Sequence, residues 1–176
     1  MIKLDMGSGR RHFEDYLTVD SDPKVGADFC LDIENFDFAL FKHFYNVEKD
    51  IDITANSVDE IRACHILEHI QPANKVKVMR FFYDLLKPGG FIKIEVPCFP
   101  CPASVQDPTH ISFWNKESFY YFIKGNKFGE GFAKRHSTPE VPLFEFVASN
   151  GKEHPGKEIL TKYYAYNLIL KKPNGK

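Results

Sequence analysis

Short alternating segments, each closed by a glycine, a proline or an acid, set the rhythm of the first hundred residues. Ile2-Lys3-Leu4-Asp5-Met6 alternates apolar and polar side chains and runs into Gly7-Ser8-Gly9, the pattern of a strand that ends in a tight turn. Tyr16–Val19 predicts a second strand stopped by Asp20-Ser21-Asp22-Pro23, and Ala27–Leu31 a third followed by Asp32. Only residues 10–16 separate the glycine turn from the second strand. At about 1.5 Å per residue they make two helical turns at most, so the crossover helix usual between parallel strands is absent or stunted. Phe36, Phe38, Leu40, Phe41, Phe44 and Tyr45 have partial helical spacing, broken by Glu48-Lys49-Asp50-Ile51-Asp52, and residues 35–56 predict a loose helix and loop. Val58–Cys64 predicts a fourth strand, with His65, Glu68 and His69 beyond its far end.

Pro72 suits a first helical position, and Val78, Met79, Phe82, Leu85 and Leu86 recur at helical intervals. They predict an amphipathic helix of about four turns, ended by Lys87-Pro88-Gly89-Gly90. Phe91–Pro97, β-branched and alternating, is the best strand in the chain. This alternation of strand and helix predicts an α/β fold with a mainly parallel sheet and helices on both faces. Beyond Pro97 come a loop rich in Pro and Cys, a helix over Lys116–Lys124 capped by Asn115, and a charged, glycine-bearing loop over Gly125–Pro142. Phe144–Ala148 and Thr161–Leu170 predict two closing strands; with no helix between them they form an antiparallel C-terminal hairpin at the sheet edge.

The length, 176 residues, fits one domain over 1–176, and 43% apolar with 27% charged residues excludes wholesale disorder or a coiled coil. No apolar run approaches the roughly 18–20 residues that span a bilayer, so no membrane partner is expected. Met1–Asp5 lacks the basic start and apolar stretch of a signal peptide, and the expected location is cytoplasmic. The net charge of −1 conceals −8 over residues 1–60 and +7 over the remainder. An acidic first third and dispersed basic residues do not make a phosphate-tracking surface, so nucleic acid is not the expected partner. Seventeen Phe and eight Tyr serve a small core or line a pocket for an apolar ligand, uses that composition does not separate. Cys98-Phe-Pro-Cys101 has the spacing of half a zinc site or of a redox pair, with His110 or Cys64 as further ligands. The second Cys pair is missing and the prolines equally describe a stiff loop, so no metal is expected.

In an open parallel sheet, ligands bind outside the carboxyl ends of the strands. Here those ends carry Gly7 and Gly9, Asp20, Asp32, and His65 with Glu68. Glycine lets the backbone approach a ligand, and a carboxylate at the next strand end accepts hydrogen bonds from both hydroxyls of a ribose. A dinucleotide loop would need a third glycine where His12 stands and an acid about 20 residues onward. Asp20 comes too early for that, and without a full helix there is no dipole to hold a diphosphate; the expected cofactor carries a nucleoside but no pyrophosphate. Taken singly, the glycines are also a plain turn, Asp20 a turn former before Pro23 and Asp32 a helix cap; only jointly do they favour a ligand.

Leu4-Asp5-Met6-Gly7-Ser8-Gly9, Leu17-Thr18-Val19-Asp20, the run from Asp59 to His69, and Leu85-Leu86-Lys87-Pro88-Gly89-Gly90 resemble class I S-adenosylmethionine-dependent methyltransferases, in the compact branch with a methyltransferase type 11 domain. The resemblance runs in order over residues 3–97. It implies a Rossmann-like fold with S-adenosyl-L-methionine as cofactor, a cofactor half over 1–97, acceptor-side loops and helix over 98–143, and closing strands over 144–172. By that resemblance Asp5, Gly7 and Gly9 border the methionine moiety, Asp20 takes the ribose, Asp32 and Ile33 the adenine, and Ala63, Cys64 and His65 lie near the sulfonium. Arg10 and Arg11 depart from the pattern, standing where many relatives carry a further glycine; an arginine there could contact the methionine carboxylate.

Methyl transfer from a sulfonium is an in-line displacement that needs proximity and, for a hydroxyl or ammonium acceptor, removal of a proton. His110, in the Asp107-Pro108-Thr109-His110 segment that in this family reaches over the acceptor, is the first candidate base, and His65 the second. A loop His110 hydrogen-bonded to Asp107 is the alternative. His65 and His69, four residues apart, are a helix-surface pair or metal ligands by spacing, but they lack the His-Glu-x-x-His order, and a structural role is expected for Glu68 and His69. Phe113, Trp114, Tyr120 and Tyr121 form an acceptor wall or pack a helix on the sheet. The expected acceptor is a small molecule or sugar-containing compound. The alternatives are an aromatic or lipid-like acceptor and, in a different class, a cofactor-binding partner protein without turnover.

Overall fold

The computed structural model describes residues 1–36, 43–127, 131, 141–149 and 165–174. Its main sheet contains β1 (Lys3–Met6), β2 (Leu17–Asp20), β3 (Phe29–Cys30), β6 (Val58–Cys64), β7 (Leu86–Pro97), β8 (Glu145–Ser149) and β9 (Ala165–Lys171), in the order β3-β2-β1-β6-β7-β9-β8. The first five of these run parallel, while β9 is antiparallel to both β7 and β8, so the C-terminal hairpin stands at the edge as its patterning predicts. Strand order reverses at β1, which has β2 on one side and β6 on the other. A crevice opens above such a switch point.

Period-two alternation divides the sheet into two unlike faces. Leu4 and Met6 of β1 align with Ile61 and Ala63 of β6, Ile92 and Ile94 of β7, and Leu170 and Leu168 of β9, and all are buried. Helix α1 (Lys75–Leu85) lays Val78, Met79, Phe82 and Leu85 into the core they form. Past the four-residue helix α2 (Pro102–Val105), α3 (Lys116–Tyr120) adds Phe119, stacked between Trp114 and Tyr166. The opposite face is charged. Arg62 bonds Asp5 at 2.7 Å, Lys93 pairs with Glu60, and the Tyr16 hydroxyl donates to Glu60. Phe13 spreads its ring against the Arg62 guanidinium, 4.6 Å from centroid to carbon. Helices expected on both faces are therefore found on the apolar one; among the described residues the charged face has no counterpart of α1. The cause is the one anticipated from chain length, since residues 7–16 contain no helix.

Residues 35–56 differ from the expected helix and loop. β4 (His43–Asn46) and β5 (Ile51–Thr54) form a separate antiparallel hairpin. The acidic run that reads as a breaker is the turn and the outer edge of a strand: Asp50 takes a positive φ of 51°, Asp52 faces outward to His43 at 2.6 Å, and Ile53 is buried. Phe44 packs edge-on against Phe29 and Phe36, and these rings supply the apolar anchor that mimics helical spacing. Residues 37–42 lie outside the described residues, as do most of the expected 125–142 loop and residues 161–164 of the last strand. The third strand shrinks to two residues. β7 begins at Leu86, directly after α1, and its Gly90 approaches the Val58 carbonyl so closely that a Cβ would stand 3.0 Å from it. Among the described residues no helix is long and apolar enough to cross a membrane.

Phe82 is fully buried in the core under α1, whereas Phe146 on β8 is 50% exposed. Phe82→Ala is expected to cost about 3–5 kcal/mol, and Phe146→Ala within about 0.5 kcal/mol; urea unfolding of both variants checks the contrast.

Candidate functional site

The rim begins where β1 turns. Gly7 has φ +68° and donates its N–H to the Val19 carbonyl at 2.8 Å, joined by the Ser8 N–H at 3.2 Å. A Cβ on Gly7 would stand 2.6 Å from Ile66 Cδ1, so both the backbone conformation and the close approach require glycine there. Gly9, also at positive φ, donates to Asp20 Oδ2 at 2.9 Å, and Asp20 Oδ1 accepts from the Asp22 N–H at 2.9 Å. Asp20 thus braces the glycine turn and stands in the wall of the crevice. Asp32 makes the equivalent local turn after β3, accepting from the Glu34 N–H at 2.9 Å.

These strand ends enclose a cavity of about 300 Å³. Gly7, Gly9, Asp20, Asp32, Ile33 and His65 line it, as the sequence pattern anticipates, with apolar walls from Leu31, Ile66 and Ile70. Its ionisable lining consists of Asp20, Asp32, Glu34, His65 and His69, with no Lys or Arg among the described residues. Such a lining suits a ligand that carries positive charge and repels a diphosphate. The structure thus agrees with a nucleoside-bearing group lacking a pyrophosphate.

Three other candidates from the sequence do not line this cavity. Asp5 is fully buried on the charged face against Arg62; burial pushes its carboxyl upward, opposed by the guanidinium, and Oδ2 has no hydrogen-bond partner among the described residues. Ala63 points into the core on the opposite face. Cys64 is half-buried beside His65, and burial raises its thiol pKa. Alternation along a strand sends Asp5 and Ala63, which pack within β1 and β6, to the two faces of the sheet. Arg10 and Arg11 are exposed and also outside the lining. Ile66 and Ile70 enter unannounced, and His69, expected in a structural role, lines the cavity with them; the signal for all three is adjacency to His65.

His65 occupies the left-handed region at φ +54°. Its Nδ1 lies 3.0 Å from Glu68 Oε1 and its Nε2 3.2 Å from Glu95 Oε1. The hydrogen bond to Glu68 raises the imidazole pKa, with help from the two carboxylate charges and against partial burial. The 3-10 turn Leu67–His69 then receives the segment after β7: Ile111 and Ser112 N–H groups donate to the Glu68 carbonyl at 3.0 and 2.9 Å, and Trp114 Nε1 to the Leu67 carbonyl at 3.0 Å. His69 Nδ1 donates to the Thr109 carbonyl at 3.1 Å. This docking brings the His69 and His110 rings to 5.0 Å between centroids, one ring beyond the cavity wall, with Asp107 Oδ2 at 3.8 Å from His110 Nε2.

A family model described as a methyltransferase domain matches residues 2–129. No protein of curated function matches the sequence significantly. Among solved structures, a SAM dependent methyltransferase from Archaeoglobus fulgidus is 18% identical with a TM-score of 0.60, covering 97% of this chain and 85% of its own. A 1,6-didemethyltoxoflavin-N1-methyltransferase from Burkholderia thailandensis, with bound 1,6-didemethyltoxoflavin and S-adenosylhomocysteine, is 14% identical at 0.55, covering 98% and 71%. A 16S rRNA (adenine(1408)-N(1))-methyltransferase from Catenulisporales acidiphilia with its cosubstrate SAM is 14% identical at 0.52, covering 99% and 86%. At such identities the likeness to these three is one of fold.

A raised pKa on His65 links this site to stability. The folded form binds the proton more tightly than the unfolded chain, so the contribution is fully present below the ordinary value of 6.5 and is lost as pH rises through the folded value. Thermal unfolding of the natural protein and of His65→Asn, which tolerates the left-handed backbone, is expected to differ most in mild acid and to converge above neutrality.

Proposed function

The chain belongs to the methyltransferase-domain family, and on that premise we propose that the cavity above β1 and β6 binds S-adenosylmethionine and that the protein transfers its methyl group to a small-molecule or sugar-containing acceptor. The observation that carries this reading is the rim itself: two positive-φ glycines and the acids of two successive strand ends converge on one cavity lined by no Lys or Arg among the described residues. Bound there, the cofactor supplies a methyl group on a cationic sulfur. Asp20 is assigned to the ribose hydroxyls, Asp32 and Ile33 to the adenine, and Gly7 and Gly9 to the methionine side.

His65 has a carboxylate oxygen facing each ring nitrogen, so neither nitrogen is open to an acceptor's proton. His110 is the residue on which removal of the acceptor's proton depends: Asp107 faces its Nε2, and its Nδ1 is buried without a partner among the described residues. The acidic lining and the acidic first third favour a small acceptor over a polyanion. The Burkholderia thailandensis protein, which holds 1,6-didemethyltoxoflavin and S-adenosylhomocysteine on this fold, supports the same choice.

Calorimetric titration with S-adenosylhomocysteine tests the cofactor assignment. Asp20→Ala is expected to weaken binding by about 1.5–3 kcal/mol, the value of hydrogen bonds to a charged acceptor; unchanged affinity contradicts it. His110→Ala is expected to bind S-adenosylhomocysteine normally yet lose methyl transfer to whichever hydroxyl or amine acceptor a small-molecule panel identifies. Parallel loss of both would give His110 a packing role.

A further inference from the structure

We propose that Glu68, His69 and His110 form a binding site for one divalent transition-metal ion of the zinc(II) class at the acceptor end of the cavity. Each residue offers a ligand atom, and these three atoms lie within 4.8 Å of one another. Glu68 and His69 also have their other polar atom already engaged. His69 Nδ1 must carry its hydrogen, because it meets the Thr109 carbonyl, which only accepts; the lone pair is therefore on Nε2. Asp107 Oδ2 stands 3.8 Å from His110 Nε2, and His110 Nδ1 is buried without a hydrogen-bond partner among the described residues. Glu68 uses Oε1 for His65, and Oε2 stays open. Backbone carbonyls and carboxylates behind the ring nitrogens are the partners that orient imidazole ligands toward a metal.

The open atoms are unusual in themselves. Glu68 is 2% exposed, yet its Oε2 has no hydrogen-bond partner among the described residues, and the buried His110 Nδ1 has none either. Glu68 and His110 thus each leave a buried polar atom without a partner while their ligand atoms cluster with that of His69, and a cation bound there satisfies the cluster. Two imidazole nitrogens and one carboxylate oxygen select a borderline transition ion over magnesium or calcium, with coordination positions left for an exogenous ligand. The neighbouring Cys64, His65 and Glu95 also lie within 4.8 Å of one another, but both His65 nitrogens already face carboxylates.

The role of the ion rests on the methyltransferase reading; its binding does not. His69 lines the cavity, so an ion on its Nε2 meets an acceptor at that end and lowers the pKa of a hydroxyl bound to it. The hydroxyl proton passes to solvent, the oxygen's electron pair forms the bond to the methyl carbon, and the carbon–sulfur pair returns to sulfur. The acceptor class this fits is a molecule with an ionisable hydroxyl, and His110 serves as ligand to the ion that removes the proton.

Chelator-treated protein titrated with cobalt(II), read by visible ligand-field absorption, and with zinc(II), read by calorimetry, tests the site directly. Saturation at one ion per chain is expected. Glu68→Gln, His69→Ala and His110→Ala should each weaken binding by more than roughly 10-fold, and Asp107→Asn by about 10- to 100-fold, while Cys98→Ser and Cys64→Ser leave it unchanged. No uptake by the natural protein, as when ordered water satisfies the open atoms, overturns the proposal, and so does uptake that survives the Glu and His substitutions or is lost with either cysteine. S-adenosylhomocysteine titration of the same preparation separates the two readings: cofactor binding without metal uptake sinks the metal site alone, and metal uptake without cofactor binding sinks the methyltransferase reading alone.

Discussion

The chain has to return from Met6 at the end of β1 to Leu17 at the start of β2 without room for a crossover helix, and much of the molecule follows from how it does so. Gly7 and Ser8 turn back onto the Val19 carbonyl, and Gly9 onto the Asp20 carboxylate, so the loop is held by the end of the strand it precedes. The rim of the cavity is thereby built from backbone and one acid. The same economy strips a helix from one sheet face. Charges at Lys3, Asp5, Glu60, Arg62 and Lys93 then stand on a surface that a longer crossover would have required to be apolar, and they pair across strands or lie under Tyr16 and Phe13.

A second junction decides the chemistry. The segment after β7 is laid onto the Leu67–His69 turn by backbone donors on the Glu68 carbonyl and by the Trp114 indole, whose ring is itself fixed by Phe119 in the core. Packing on the apolar face therefore positions polar groups at the strand ends. Glu68 is the most costly of them, a carboxylate removed from water with one oxygen engaged and one open. Such a group persists where its surroundings over-determine it, and four backbone or side-chain contacts to this turn supply that constraint.

The strand ends were readable from the chain because glycine and short acids have few other uses at the close of an alternating run. Gly7, Gly9, Asp20, Asp32 and His65 all reach the cavity. Asp5, Ala63 and Cys64 do not: Asp5 and Ala63 lie within strands, where alternation gives each a face of the sheet, and Cys64 at the end of β6 is half-buried beside His65. The hairpin at residues 43–54 was missed because Phe36, Phe44 and Tyr45 imitate a helical stripe, while pairing of Asp52 with His43 and burial of Ile53 depend on a partner strand that periodicity does not reveal.

Local pattern by itself determined the parallel sheet, the glycine turn, the missing helix and the exclusion of a diphosphate, since each depends on neighbours a few residues apart. It could not decide which histidines meet. Glu68 and His69 belong to one turn, but His110 comes from beyond a twelve-residue strand, and only the docking of that distant segment brings its ring to 5.0 Å from that of His69. Lone pairs acquire a common target through tertiary packing, because the direction of a side chain and the atom it leaves free are fixed by partners far away in sequence.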